Sequence, residues 1–157
     1  MVGCVGEPLK RISVRCLRLA MQENEYCDEF ADAELEHLAH RWLADIRGNL
    51  SGGESDSCQS VVSMNFSAPP EIQWRFILIA VSLSESDDEL SQAAAGPIEH
   101  LLGWHGEAYI SLVENEVATN PKFARALTGV WQYIMSAEVW SRVQRLQKGV
   151  SDPLRQR

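Results

Sequence analysis

From Leu35 onward the apolar side chains of this sequence return at intervals of three and four residues, the spacing that lines one face of an α-helix rather than one face of a strand. Leu35, Leu38, Ala39, Trp42, Leu43 and Ile46 set the pattern. Asp32 reads as an N-cap, Glu34 and Glu36 fall in the first turn where the helix dipole favours acids, and Gly48 ends the run. Residues 49–57, Asn-Leu-Ser-Gly-Gly-Glu-Ser-Asp-Ser, are a flexible loop by composition. A short helix is expected over 58–66, and Pro70 is placed as a first-turn proline. Glu71 to Leu83 then carries apolar residues on nearly all sides, which predicts a central helix. Phe76 to Val81 alone would also suit a strand, but the neighbouring segments have helical period and no partner strand is evident.

Ser86 and Glu89 form a capping box for the next helix, which Gly96-Pro97 is expected to break. A short helix with Ile98, Leu101 and Leu102 should stop near Gly103, and Glu107 to Ala118 should form another. Asn120-Pro121 opens a helix whose predicted face is Phe123, Leu127, Val130, Trp131 and Ile134. Ser136 caps a last helix, with Trp140, Val143 and Leu146 turned inward. The expected fold is therefore all-α, a single compact helical bundle or a short stack of antiparallel helix pairs resembling HEAT-like repeats. A length of 157 residues at 45% apolar suits one domain over 1–157, with 1–9 and 150–157 loose and a short helix over 9–21. The densest apolar stretch, Phe76 to Leu83, is too short to cross a membrane.

Charge is segregated along the chain. The formal net charge is −8, yet residues 1–20 carry Lys10, Arg11, Arg15 and Arg18 against Glu7. Residues 21–40 hold Glu23, Glu25, Asp28, Glu29, Asp32, Glu34 and Glu36 with no Lys or Arg. A second acidic zone runs from Glu85 to Glu116 and includes Asp87, Asp88, Glu99 and Glu107, after which the C-terminal segment is basic. Segregation of this kind arises either from helix faces that attract one another within a fold or from an acidic surface that docks a basic protein. The overall sign argues against nucleic acid or an anionic membrane as partner. Cys4, Cys16, Cys27 and Cys58 are widely spaced, without a C-x-x-C pair, and Arg15 and Arg18 interrupt any signal-peptide core, so a cytoplasmic protein with reduced thiols is expected.

Ala95-Gly-Pro-Ile-Glu-His-Leu-Leu102, His105-Gly-Glu, Phe123-Ala-Arg-Ala-Leu-Thr-Gly-Val-Trp-Gln132 and Met135-Ser-Ala-Glu-Val-Trp140 together resemble a small bacterial family catalogued as a domain of unknown function. The resemblance covers roughly 70–146, and such members carry a helix like Glu34 to Ile46 ahead of this block. It implies one helical unit and brings no activity with it. Between Ser51 and Met64, where the resemblance implies a more aromatic helix, this chain is rich in Gly and Ser.

Catalytic and metal chemistry find little footing. His37 and His40 lie at i, i+3, and Glu36 and His40 one turn apart, but zinc needs three or four convergent ligands and His-Glu-x-x-His is absent. His100 and His105 would be separated by about 140° on a helix. A Gly-x-Ser-x-Gly elbow and a P-loop are likewise missing. Arg125, Arg142, Arg145 and Lys148 beside Trp131 and Trp140 suggest a basic aromatic patch, although helical spacing turns the tryptophans inward. No cofactor or metal is expected. The five tryptophans are core anchors by default, whereas an exposed Trp74 or Trp104 on an acidic surface would have the make-up of a binding hot spot.

These features predict a non-enzymatic, cytoplasmic protein-binding module, most concretely an immunity protein that occludes a basic toxin or effector. Its partner-binding residues would be Glu23, Glu25, Asp28, Glu29, Glu34, Glu36, Asp87, Asp88, Glu99, Trp104, His105 and Glu107. A helical scaffold or adaptor without a toxin is the alternative. An enzyme using His105, Glu107 and Glu99 as its acid/base group comes third.

Overall fold

The computed structural model describes residues 32–48 and 55–155, and every regular element among them is helical. Glu34–Arg157 makes one compact unit. The expected single domain over 1–157, like the 9–21 helix, reaches into residues outside those described. Helix α1 spans residues 32–47 and buries Leu35, Ala39, Trp42 and Leu43, the predicted face. Asp32, read from the sequence as the cap, lies within the helix itself.

Helix α2 (Asp56–Ser67) forms where the chain is poor in aromatic residues because its start is strongly specified. Ser55 caps it by accepting from the Cys58 amide at 3.2 Å. The buried Ser57 hydroxyl donates to Asp45 of α1, and the Ser57 and Ser55 hydroxyls together hold that carboxyl below its ordinary range. Helix α3 (Pro70–Leu83) has Pro70 in its first turn and buries Phe76, Ile77, Ala80 and Val81. Trp42 of α1 meets Phe76 with ring centroids 5.8 Å apart.

Helix α4 (Asp87–Ala93) begins with the predicted capping box, Ser86 Oγ accepting from the Glu89 amide and Glu89 Oε2 from the Ser86 amide. The break expected at Gly96-Pro97 does not occur, and the chain keeps its helical course. Ala94–Ile98 widens instead into a π-turn, with the Glu99 amide reaching Ala94 O five residues back. Pro97 has no amide to donate and its ring crowds the preceding turn; the wider turn relieves both. Helix α5 (Glu99–Thr119) follows directly. The break expected between Gly103 and Glu107 is a kink at His105 (φ −129°, ψ 16°), not a connection.

Helix α6 (Pro121–Leu127) is capped by the Asn120 side chain, which accepts from the Lys122 and Phe123 amides at 3.1 Å each. Helix α7 (Ala137–Lys148) is capped by Ser136 and buries Val139 and Val143. One hydrophobic core joins all of these, with α3 and α5 between them touching every other described helix. The segment after α7, expected to be loose, returns to the core through Leu154, whose amide donates to Thr128 Oγ1 at 2.8 Å. No described helix is long and apolar enough to cross a membrane.

Candidate functional site

The predicted apolar face Phe123, Leu127, Val130, Trp131 and Ile134 does not exist as one face. Helix α6 stops at Leu127 because Thr128 Oγ1 takes up Arg125 O and the next amides fold back three residues instead of four. Val130 is buried, while Trp131 and Ile134 point outward. Two contacts pin the irregular segment 128–136. Glu99 Oε1 accepts from the Trp131 amide at 2.8 Å, and Gln147 Nε2 of α7 donates to Leu127 O and Val130 O at 2.9 and 2.8 Å.

Two glycines on α5 allow this layer to come close. A Cβ on Gly106 would lie 2.8 Å from Val139 Cγ1 of α7, and one on Gly103 would lie 2.9 Å from both Ile134 Cγ1 and Tyr133 Cδ1. Such separations are far inside contact distance for carbon. The segments that carried the family resemblance thus meet in space: His105-Gly-Glu against Met135 to Trp140, and the Glu99-His100 region against Trp131 to Tyr133.

What this packing leaves outside is aromatic. Phe66 is 61% exposed, Trp104 58% and Trp131 62%, and Tyr133 and Ile134 are also exposed. Several are joined. His100, fixed by donation from Nδ1 to Gly96 O in the π-turn at 3.0 Å, stacks edge-on with Phe66 at 4.7 Å and lies 5.1 Å from Tyr133. Helix α2, the first half of α5 and the 131–134 segment therefore share one apolar face. Water-exposed rings in this number cost hydration free energy unless something covers them, and such patches on monomers mark interaction sites.

Beside it, Trp104, His105, Glu107, Ile134, Ser136 and Val139 line a groove of about 430 Å³ along the α5 kink. A second groove of about 500 Å³, between α5 and α7, is lined by Glu114, Arg142 and Arg145, whose charges are already paired. No group of three or more metal-ligating side chains is found among the described residues. His40 Nε2 lies 3.8 Å from Glu36 Oε1 on an exposed face of α1, and His37 is exposed as well.

The residues predicted to bind a partner divide into several groups. Trp104, His105 and Glu107 come together at the groove. Glu99 lies behind the 131–134 segment and does not line that groove, so the imagined acid/base group is not gathered in one place. Burial pushes the Glu99 carboxyl above its ordinary range, against the Trp131 amide and the nearby His100, which favour its charge. Asp87 is held in a two-point grip by Arg125, at 2.6 and 2.9 Å, and Asp88 is exposed on α4. Glu34 and Glu36 are exposed on α1. Glu23, Glu25, Asp28 and Glu29 lie outside the described residues.

Sequence reasoning missed Phe66, His100, Tyr133 and Ile134 as members of an exposed face, and it turned Trp131 inward. Thr128-Gly129 was the available signal, since a glycine after a polar residue ends helices. Of the tryptophans, Trp42 is buried, and Trp74 and Trp140 pack against the core. Trp74 stands T-shaped on Phe123 at 5.6 Å. Among the described residues Cys58 is a free thiol.

The molecule is thus an all-helical protein with an aromatic face and no gathered catalytic constellation among its described residues. Residues 51–151, more than half of the chain, match the model of a family of unknown function, DUF6869, and the chain belongs to that family. No curated protein and no solved structure matches it.

Proposed function

We propose that this protein acts by binding another protein through the face formed by α2, the first half of α5 and residues 131–134, and that it is not an enzyme. The observation that carries this reading is the exposure of Phe66, Trp104, Trp131, Tyr133 and Ile134 on these three neighbouring segments, which His100 links through its ring contacts with Phe66 and Tyr133. Exposed Trp and Tyr are the side chains that most often dominate binding energy when a partner covers them. A net charge of −8 favours a basic partner, because complementary fields speed encounter and reject like-charged competitors. In its most concrete form the reading is an immunity protein of the bacterial cytoplasm that covers a basic toxin or effector and blocks its active site. Charge then steers the encounter, and the aromatic face supplies the dry centre of the interface.

Co-purification from the source cells at low and high salt tests this. The full chain should retain one basic protein, captured more slowly as salt rises, and the pair Trp104→Ser and Trp131→Ser should lose it while Leu112→Ser, exposed on the second half of α5, keeps it. Equal retention by all three forms, or no selective retention by the unaltered chain, would overturn the reading.

A further inference from the structure

We propose that the groove along the α5 kink is an anchor pocket for an arginine side chain of the protein partner. Three observations converge on that occupant. Trp104, 58% exposed, lines the groove and offers an indole that the chain itself leaves largely uncovered. Glu107, one turn further along α5, lines the same groove with an exposed carboxylate, and among the described residues it has no hydrogen-bond or ion-pair partner. Other acids of the same zone, Glu89, Asp87 and Glu114, are each gripped by an arginine of this chain. Ile134 and Val139 form an apolar floor on which the methylene stem of a long side chain can lie.

A guanidinium suits this combination better than an ammonium. It is planar and weakly hydrated, stacks on an indole face and forks onto a carboxylate, whereas lysine brings a compact, strongly hydrated charge. The chain's own arginines already use the two-point grip on carboxylates at Asp87 and Glu114, with donor–acceptor distances between 2.6 and 2.9 Å. In the complex Trp104 would stack on the guanidinium, Glu107 would accept from it, and His105 and Ser136 would bound the groove.

The inference rests on the protein-binding reading, and its test uses a probe that needs no partner. The full chain is titrated with a short acetylated and amidated Gly-Arg-Gly peptide while the tryptophan indole N–H resonances are followed by NMR. The Trp104 signal should shift saturably and more than the other indoles, and the peptide carrying uncharged citrulline in place of arginine should shift it at least about threefold less. Glu107→Gln should weaken binding of the arginine peptide by about threefold, and Trp104→Leu should leave the protein folded and remove the response of the remaining indoles. Equal shifts with arginine and citrulline, or shifts centred on another tryptophan, would overturn the pocket. If a basic partner is nevertheless captured through the aromatic face, the protein-binding reading stands without it; if the peptide binds but no partner is ever found, the pocket stands and the reading falls.

Discussion

Glu99 and Glu114 sit on one helix, either side of the His105 kink, and their surroundings are opposite. Beyond the kink, Glu114 is gripped by Arg142 at 2.8 and 2.6 Å and approached by Arg145, and the Arg142 guanidinium holds its carboxyl below the ordinary range. Before the kink, Glu99 meets no Lys or Arg among the described residues; burial raises it, and it holds the backbone of the aromatic segment. The same contrast runs through the whole unit. Arg47 binds Glu89 and Leu83 O, Arg125 binds Asp87 and Asp152, and the acidic zone thereby joins α1, α6 and α7 to α4 and α5. On the aromatic face the rings of Phe66 and Tyr133 meet only at His100, and both keep a large exposed surface. Charge segregation in this sequence therefore serves the fold to a large extent, and the unspent surface is ring-bearing.

The largest expected difference lies between tryptophans. Trp42→Ala should cost about 3 to 5 kcal/mol of stability, because it empties core against Phe76. Trp104→Ala and Trp131→Ala should stay within about 0.5 kcal/mol of the unaltered protein in the same denaturant titration. A large loss at either of these two would mean that the face is part of the core, and would erase the contrast.

Next come the two glycines. Gly106→Ala should destabilise by about 1 to 3 kcal/mol, since Val139 is buried and has nowhere to go, and Val139→Ala in the same chain should recover part of it. Gly103→Ala meets exposed Tyr133 and Ile134, which can swing into solvent; the gain in helix propensity, about 1 kcal/mol, offsets the clash. Its thermal midpoint should therefore change little while the ring contact between His100 and Tyr133 loosens, read from the Tyr133 ring resonances.

Smaller still, and opposite in sign, are the effects of pH at Glu89 and Glu99. Burial works to raise Glu89, but Arg47 and the amides of Glu85 and Ser86 outweigh it and hold the carboxyl below the usual range. Its contribution to stability is present above the unfolded value, about pH 4.3, and is lost as pH falls through the lower folded value. Glu99 is raised, so the stability it contributes is present in acid and is lost as pH rises through its folded value. Glu89→Gln should thus lower the thermal midpoint at neutral pH, with the deficit shrinking in acid. Glu99→Gln, still able to accept from the Trp131 amide, should raise it slightly at neutral pH and leave it unchanged in acid.

Most of the helices were legible because their signals are local. The Ser86/Glu89 capping box, the Asn120-Pro121 start and the Leu35 to Ile46 stripe each depend on residues within a turn or two of one another. What was not legible depends on distant partners. Gly96-Pro97 reads as a break until the buried Pro97 and Ile98 are seen packed in the core, where a π-turn keeps the chain helical. Trp131 and Ile134 fit a helical face on spacing alone, and only the Thr128 hydroxyl, the Gln147 clasp and the approach at Gly103 turn them outward. The candidate site was half visible: Trp104, His105 and Glu107 were singled out by type, while Phe66, His100 and Tyr133 come from elements whose meeting no local pattern records.

Backbone amide exchange in the protein with and without its captured partner goes most directly to the claim that the aromatic face is the working surface. New protection should be confined to residues 62–66, 99–107 and 131–139, with the remainder of α7 and the ion-paired second half of α5 unchanged. Protection that appears instead along α1 or the remainder of α7, while the aromatic segments exchange as before, would contradict that claim.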